Sequence, residues 1–422
     1  MTYQEVLEWI QGQLKFGIKP GLERMRWCLA ALDNPQEKLV AVHVVGTNGK
    51  GSTVNNLQHI LTQSGYEVGT FTSPYIMDFK ERISLNGQMI SEADLVLVAN
   101  RVKPVAKRLI QETSFGQLTE FELITLIMFV YFGQVHPVDI AVIEAGLGGL
   151  YDSTNVFQAE LVICPSIGLD HQAILGSTYQ AIAKQKAGVI KGSEPVLIAI
   201  SNPDARQVFV EQAAQLNSPL YEFSRDFNLQ KAEQGFYFTA DQVSIAGIDV
   251  VMPGKHQVSN AALVIMAACL LRKRFPKISA AAIKRGLAES YWQGRTELLA
   301  QNVMIDGAHN RESVLALIEV LKERYAPKKI HILFAAIDTK PIAEMLDLLE
   351  DQGDLQVTTF SHPKAYPLDA YPAKYPKVAH FRDWLAKRHV NSNEDFYLVT
   401  GSLYFIAQVR QYWFNEEPTS VT

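Results

Sequence analysis

The run Gly46-Thr47-Asn48-Gly49-Lys50-Gly51-Ser52, with Thr53 behind it, holds residue types at a spacing suited to binding an anion. It breaks the apolar, β-branched stretch VAVHVV (40–45) and opens into the polar, helix-compatible STVNNLQHILTQSG. Glycines let loop amides turn toward a ligand with no Cβ in the way, and a helix starting there aims its positive end at the same point. Lys50 adds a point charge, so phosphate is the expected guest. The usual G-x-x-x-x-G-K-[ST] pattern would need glycine at Val44 and a hydroxyl at Gly51; here the first hydroxyl comes one residue late, at Ser52. A glycine-rich turn that binds nothing is the bland alternative, and the lysine at the helix entrance argues against it.

Ligands in open parallel sheets sit beyond the carboxyl ends of the strands. Besides the loop, strands deliver Thr72 and Ser73, Glu144, and Asp170 with His171 to such ends. Magnesium prefers oxygen ligands and commonly takes one or two carboxylates plus nucleotide phosphate, so Glu144 with the Ser73 hydroxyl suits it, and His171 would be an unusual third ligand. Singly, each has a plainer reading: Ser73 before a proline forms turns, and His171 braces a loop. Lys186 in IAKQKAG reads as an exposed, salt-bridging helix lysine. Thr119-Glu120-Phe121-Glu122 reads as a helix start, with Thr119 as cap and Glu122 as its capping-box partner. His256, Gln257 and Asn260 fall at another helix entrance, where an amide caps the helix or reads an adenine edge. Arg295, near a domain junction, either pins the domains or clamps phosphate.

The elements that must position these groups alternate strand and helix. Helices are expected at 2–15, 23–32, 91–112, 119–133, 203–216 and 258–272, and Asn86-Gly87 marks a hairpin. Buried parallel strands are expected in VDIAVIE, ELVIC and PVLIAI, and an antiparallel patch over 226–252. After YWQGRTE the pattern restarts with VMID, KIHILFAA, LQVTTF and FYLVT, a second, smaller α/β domain. The expected organisation is α/β: a parallel-sheet domain of phosphate-loop type over 1–295 and a Rossmann-like domain over 296–422. With 422 residues, two domains are the natural expectation. A net charge of −5 with no run of like charge argues against nucleic acid or an anionic membrane as partner. Cys28, Cys164 and Cys269 suggest neither a disulfide framework nor a zinc site, and no apolar run is long enough to span a membrane, which fits a soluble cytoplasmic protein. The tail NEEPTSVT reads as frayed.

GTNGKGST (46–53) resembles the ATP loop of the Mur ligase superfamily, in particular its folylpolyglutamate synthase and dihydrofolate synthase branch. TSP (72–74), VIEAGLGG (142–149), DSTN (152–155), LDHQ (169–172), KAG (186–188), GKHQVSNAA (254–262), DGAHN (306–310) and GSLY (401–404) resemble its further blocks, in order. The resemblance implies an ATP-dependent amide ligase that adds L-glutamate to a folate through an acyl phosphate, with closure of the two domains around ATP; whether dihydropteroate is also a substrate stays open. It implies that Gly46 to Thr53, Asn260 (adenine), Arg295 (phosphate) and Asp306 with nearby His309 bind ATP. Ser73, Glu144, His171 and a carbamoylated Lys186 would hold two Mg2+ ions, with room for a monovalent cation. Thr119, Glu120, Phe121, Glu122, Tyr151, Asp152 and Ser153 would lie near the pterin, in a monomeric enzyme. Leu150, Arg311, Thr339, Pro341 and Lys364 depart from the family's usual residues, and two of these departures lie where glutamate or the closed state would be held. The competing readings are a Mur-type cell-wall peptide ligase, which the short region before the phosphate loop disfavours, and a nucleotide-binding regulatory relative without turnover.

Overall fold

The run VAVHVV supplies a strand, Ala41–Val44 (β1), every residue of which is buried. This is a computed structural model, and it describes residues 1–13, 21–388 and 392–415. Joining β1 in one eight-stranded sheet are β2 (Val68–Phe71), β3 (Ile83–Leu85), β4 (Gln88–Met89), β5 (Ile140–Glu144), β6 (Leu161–Cys164), β7 (Val196–Ile198) and β8 (Leu220–Glu222), in the order 4-3-2-5-1-6-7-8. Pairing is parallel from β2 across to β8, whereas the β2–β3 pair and the β3–β4 hairpin are antiparallel. The hairpin's two-residue turn is Asn86-Gly87, both at positive φ, as that dipeptide leads one to expect.

Strand alternation buries both faces of this sheet. Val42, Val44, Ile140, Val142, Leu161, Ile163 and Leu197 pack on one side in a cluster that takes residues from the helices Lys50–Gln63, Lys255–Leu271 and Ala280–Ala288. Ala41, Ala141, Ile143, Val162, Cys164, Val196 and Ile198 face the other side, where the apolar helix Glu120–Val130 lies. Continuous apolar runs in parallel strands follow from that double burial. The polar stretch before Met252 is an antiparallel sheet of β9 (Phe227–Lys231), β10 (Phe236–Ala240) and β11 (Val243–Ile248).

The chain divides into two compact units, Met1–Val251 with Gln257–Ser290, and Met252–His256 with Tyr291–Thr422. The second has its own five-stranded sheet of β12 (Glu297–Ala300), β13 (Val303–Asp306), β14 (Lys329–Phe334), β15 (Asp354–Val357) and β16 (Asp395–Thr400), ordered 12-13-16-14-15 and parallel except for β12. β12 was not foreseen: TELLA has only a partial alternation, and as an edge strand it needs only one apolar face. The helix Ala280–Ala288 was also missed. The first helix is shorter than expected, Tyr3–Gln11 with Gly12 as its C-cap, and Leu14 lies outside the described residues. So does the tail from residue 416. The helix expected over 119–133 gives way after Val130 to a π turn, Tyr131–Val135. No helix among the described residues is long and apolar enough to cross a membrane.

Candidate active site

The polypeptide leaves β1, passes through residues 45–49 and enters the helix Lys50–Gln63. Gly49 caps that helix at φ 86° without a side-chain acceptor, so the first amides of the helix are left to a ligand. A Cβ at Gly49 would fall 2.7 Å from Asn260 Oδ1 and 3.1 Å from Pro165 Cβ, which explains why glycine is needed there. The segment after β6 braces the loop: the Thr47 amide donates to Ser166 O (2.9 Å), the Asn48 amide to Ser166 Oγ (3.0 Å), and the Gly168 amide to Thr47 Oγ1 (2.9 Å). The loop is thus shaped before any anion arrives.

Three charged side chains converge on it. Lys50 donates to Thr47 O at 3.2 Å, and its ammonium lies 3.7 Å from Glu144 Oε1. Glu144, the last residue of β5, is 3% exposed, and its other oxygen accepts from the Ser73 amide at 3.4 Å. Lys186, on the helix Tyr179–Ala187, donates to Gly46 O at 2.7 Å. Burial, with Lys50 nearby, pushes the Lys186 ammonium down to about 7, although sequence pattern alone made it an exposed helix lysine. The first turns of the helix Lys255–Leu271 bring Asn260 against Gly49; its amide donates to Gln257 Oε1 (3.1 Å), and Gln257 reaches Ser52 Oγ (3.5 Å).

His171 sits at φ 52° with its side chain about half exposed, and its amide donates to Asp170 Oδ1 (2.8 Å). Among the described residues, no three His, Cys, Asp or Glu side chains are grouped to hold a metal ion. Ser73 and Glu144 nevertheless fit a hard cation, since magnesium completes its shell with water and phosphate oxygens. Lys186 as a plain amine donates to a carbonyl and does not fit as a metal ligand.

Thr119 and Glu122 form the expected capping box, Glu122 amide to Thr119 Oγ1 at 3.2 Å and Thr119 amide to Glu122 Oε2 at 2.8 Å. Both acids of this block also carry arginine partners that sequence reading missed: Arg24 Nε reaches Glu122 Oε1 at 2.8 Å, and Arg82 Nη2 reaches Glu120 Oε1 at 3.3 Å. Phe121 packs 5.8 Å from the Phe71 ring and fills the space that a Cβ at Gly146 would take. Tyr151 is exposed and Ser153 half-buried, whereas Asp152 is buried and accepts the Leu147 amide at 2.7 Å and the Thr154 amide at 3.0 Å; burial raises its carboxyl above the usual range.

In the second unit, Asp306 ends β13 and accepts from the amides of Thr296 (2.7 Å) and Ala308 (2.8 Å). Burial raises its carboxyl, and the Arg295 charge partly offsets this. His309 Nδ1 lies 2.7 Å from Gly307 O, and Asn310 caps the helix Arg311–Arg324. Arg295 is held in a loop whose Gly294 amide donates to buried Glu297 (2.7 Å), itself paired with Arg410 (2.9 Å). Neither Glu297 nor Arg410 was singled out from the sequence.

A parallel α/β sheet with a braced phosphate loop, an acid on the adjacent strand and a separate Rossmann-like unit defines a Mur-ligase type of protein. The Mur ligase middle domain matches residues 44–268. The dihydrofolate synthase/folylpolyglutamate synthase of Bacillus subtilis is 41% identical, across 97% of this chain and 99% of that protein. The folylpolyglutamate synthase of Lacticaseibacillus casei is 34% identical, across 97% and 98%. Among solved structures, an FPGS–AMPPCP–folate complex superposes with a TM-score of 0.87 at 33% identity, covering 98% of this chain and all of that one (100%). The chain belongs to the folylpolyglutamate synthase/dihydrofolate synthase family of the Mur ligase superfamily.

Proposed function

We propose that the chain is an ATP-dependent carboxylate–amine ligase that joins L-glutamate to the γ-carboxylate of a folate. The observation that carries this reading is the convergence of Lys50, Glu144 and Lys186 on a braced glycine loop at an uncapped helix start, in a chain similar from end to end to folate ligases. A carboxylate is a poor acyl donor. A folate carboxylate oxygen attacks the γ-phosphorus of ATP, and ADP leaves; the glutamate amine then attacks the acyl carbon, loses a proton, and inorganic phosphate departs with the C–O bond pair. Lys50 and the loop amides neutralise charge that builds on the transferred phosphoryl group.

Ser73 and Glu144 would hold a magnesium ion, which supplies further charge neutralisation on the phosphates when bound. An amine with the depressed pKa of Lys186 is partly neutral near pH 7, the form that takes up CO2, which supports its carbamoylation and thereby a place near a second ion with His171. Asn260 suits the adenine edge, and Arg295, Asp306 and His309 suit the nucleotide. Residues 119–122 and 151–153 we assign to the pterin side. Glutamate falls to the smaller unit, and the enzyme is read as cytoplasmic and monomeric.

The test is ATP hydrolysis with magnesium, L-glutamate and, in turn, tetrahydrofolate, 5,10-methylene-tetrahydrofolate, dihydropteroate or no pterin, with mass spectrometry of products. A glutamate adduct from the folates alone makes the chain a polyglutamate synthase, and one from dihydropteroate as well makes it bifunctional. Measurable ATP binding with no product from any pterin would overturn the ligase reading.

A further inference from the structure

His43 is a polar residue in an otherwise apolar strand. It lies on β1, 1% exposed, between Val42 and Val44, where strand alternation turns it away from those two valines and toward Phe157, 4.9 Å between ring centroids. Burying an imidazole costs free energy unless its polar atoms are paired. Its Nε2 is paired, lying 2.9 Å from Thr154 Oγ1. Thr154, itself 0% exposed, places the same oxygen 2.6 Å from Asp152 Oδ1. Asp152 Oδ1 also accepts the Thr154 amide, and Oδ2 accepts the Leu147 amide at 2.7 Å.

The directions of these bonds follow from the proton inventory. A carboxylate accepts only, so the single hydroxyl proton of Thr154 goes to Asp152, and Thr154 Oγ1 must accept from His43. The imidazole therefore carries a proton on Nε2, and burial keeps the ring in its neutral form. The chain of bonds runs from β1, three residues before Gly46, into the segment between Leu147 and Thr154, which follows Glu144 on β5 and contains Tyr151, Asp152 and Ser153. Backbone pairing joins β1 to β5 as far as Ala145, whose amide donates to Val44 O, and the Leu150 amide donates to Gln185 O; the side chains of His43, Thr154 and Asp152 add a direct tie from β1 to the segment after β5.

We propose that His43, acting through Thr154, is a positioning residue that sets the folate-binding loop 147–153 against the phosphate loop. The proposal rests on the folate-ligase reading for the identity of the ligand and on geometry alone for the tie. It explains why this strand position holds histidine, since leucine or valine would fill the space but leave the buried Thr154 oxygen without its donor.

The variants His43→Ala, Thr154→Val and Thr154→Ser separate the tie from packing. Thr154→Val keeps the side-chain volume and removes the hydroxyl, whereas Thr154→Ser keeps the hydroxyl. Expected for His43→Ala and Thr154→Val is a KM for the folate raised about tenfold, the scale of one lost buried hydrogen bond. The KM for ATP should stay within about twofold, and Thr154→Ser should behave as wild type. Hydrogen exchange of peptides covering 146–156 should quicken in the first two variants, with peptides covering 46–53 unchanged. Equal rises in both KM values, or Thr154→Ser behaving as Thr154→Val, would overturn the proposal. If the wild type makes no folate product, the ligase reading falls by itself, and exchange at 146–156 still decides whether the tie exists: unchanged exchange in Thr154→Val rejects it.

Discussion

The Lys186 ammonium donates to the carbonyl of Gly46 at 2.7 Å, so the first glycine of the phosphate loop is tied to a helix 140 residues further along the chain. The lysine is 5% exposed and its pKa is depressed to about 7 by burial and by Lys50. Lys186→Met removes the donor while leaving an apolar stem that suits the site. The expected result is a loss of nucleotide affinity of about tenfold, from one buried charge-assisted hydrogen bond, read by titration with a fluorescent ATP analogue. Unaltered affinity would show that Gly46 holds its place without this lysine.

Gly49→Ala is expected to destabilise the fold by roughly 1–2 kcal/mol through the left-handed backbone alone, and to abolish nucleotide binding. The added methyl would also sit 2.7 Å from Asn260 Oδ1. Removing that neighbour gives a way to separate strain from clash. In the double variant Gly49→Ala with Asn260→Ala, part of the stability returns, because the side-chain clash is relieved, and the backbone strain stays. Urea unfolding of both variants measures the split; no recovery would assign the whole cost to φ.

Much of this organisation was legible because it depends on short-range patterns. A β-branched run ending in Gly46, a hairpin written as Asn86-Gly87, and Glu144 at the end of an apolar run each carry their structure in adjacent residues. What escaped the sequence depends on partners far away in the chain. Arg24 lies 98 residues from the Glu122 it neutralises, and Arg410 lies 113 from Glu297. Lys186 looked like any helix lysine because burial is a tertiary property. His43 did carry a signal: one ring nitrogen pair in the middle of VAVHVV must find partners once the strand is central.

The ion pair between Arg24 and Glu122 is buried, with side-chain exposures of 8% and 4%. Removing one partner strands the other charge, which costs about 3–5 kcal/mol. Arg24→Met should therefore lower the thermal midpoint by calorimetry far more than Arg108→Met, which breaks the exposed Arg108–Glu112 pair and leaves Glu112 in water. Because Arg24 pairs with Glu122 at the start of the helix Glu120–Val130 and not with a residue of the phosphate loop, ATP affinity in the folded variant should be unchanged. Comparable midpoints for the two variants would mean that the Arg24 site takes up water when emptied.

Acid should unfold the protein partly through His43. Burial pushes its imidazole from the ordinary value near 6.5 down to about 3, so the folded state keeps it neutral while the unfolded state takes up a proton. Between those two values the unfolded chain binds more protons, and stability falls as pH is lowered, by up to about 1.4 kcal/mol per pH unit from this one group. The contribution is fully present above pH 6.5 and is lost on descending toward pH 3. His256, depressed to about 4 by burial and Arg295, adds a loss of the same sign. His43→Gln can still donate to Thr154 but does not titrate, so it isolates the first term. Urea midpoints at pH 7 and pH 5 should draw closer together in His43→Gln than in the wild type. An equal drop in both would mean that His43 takes up its proton alike in the native and unfolded states, which would reject the burial of a neutral ring at this position.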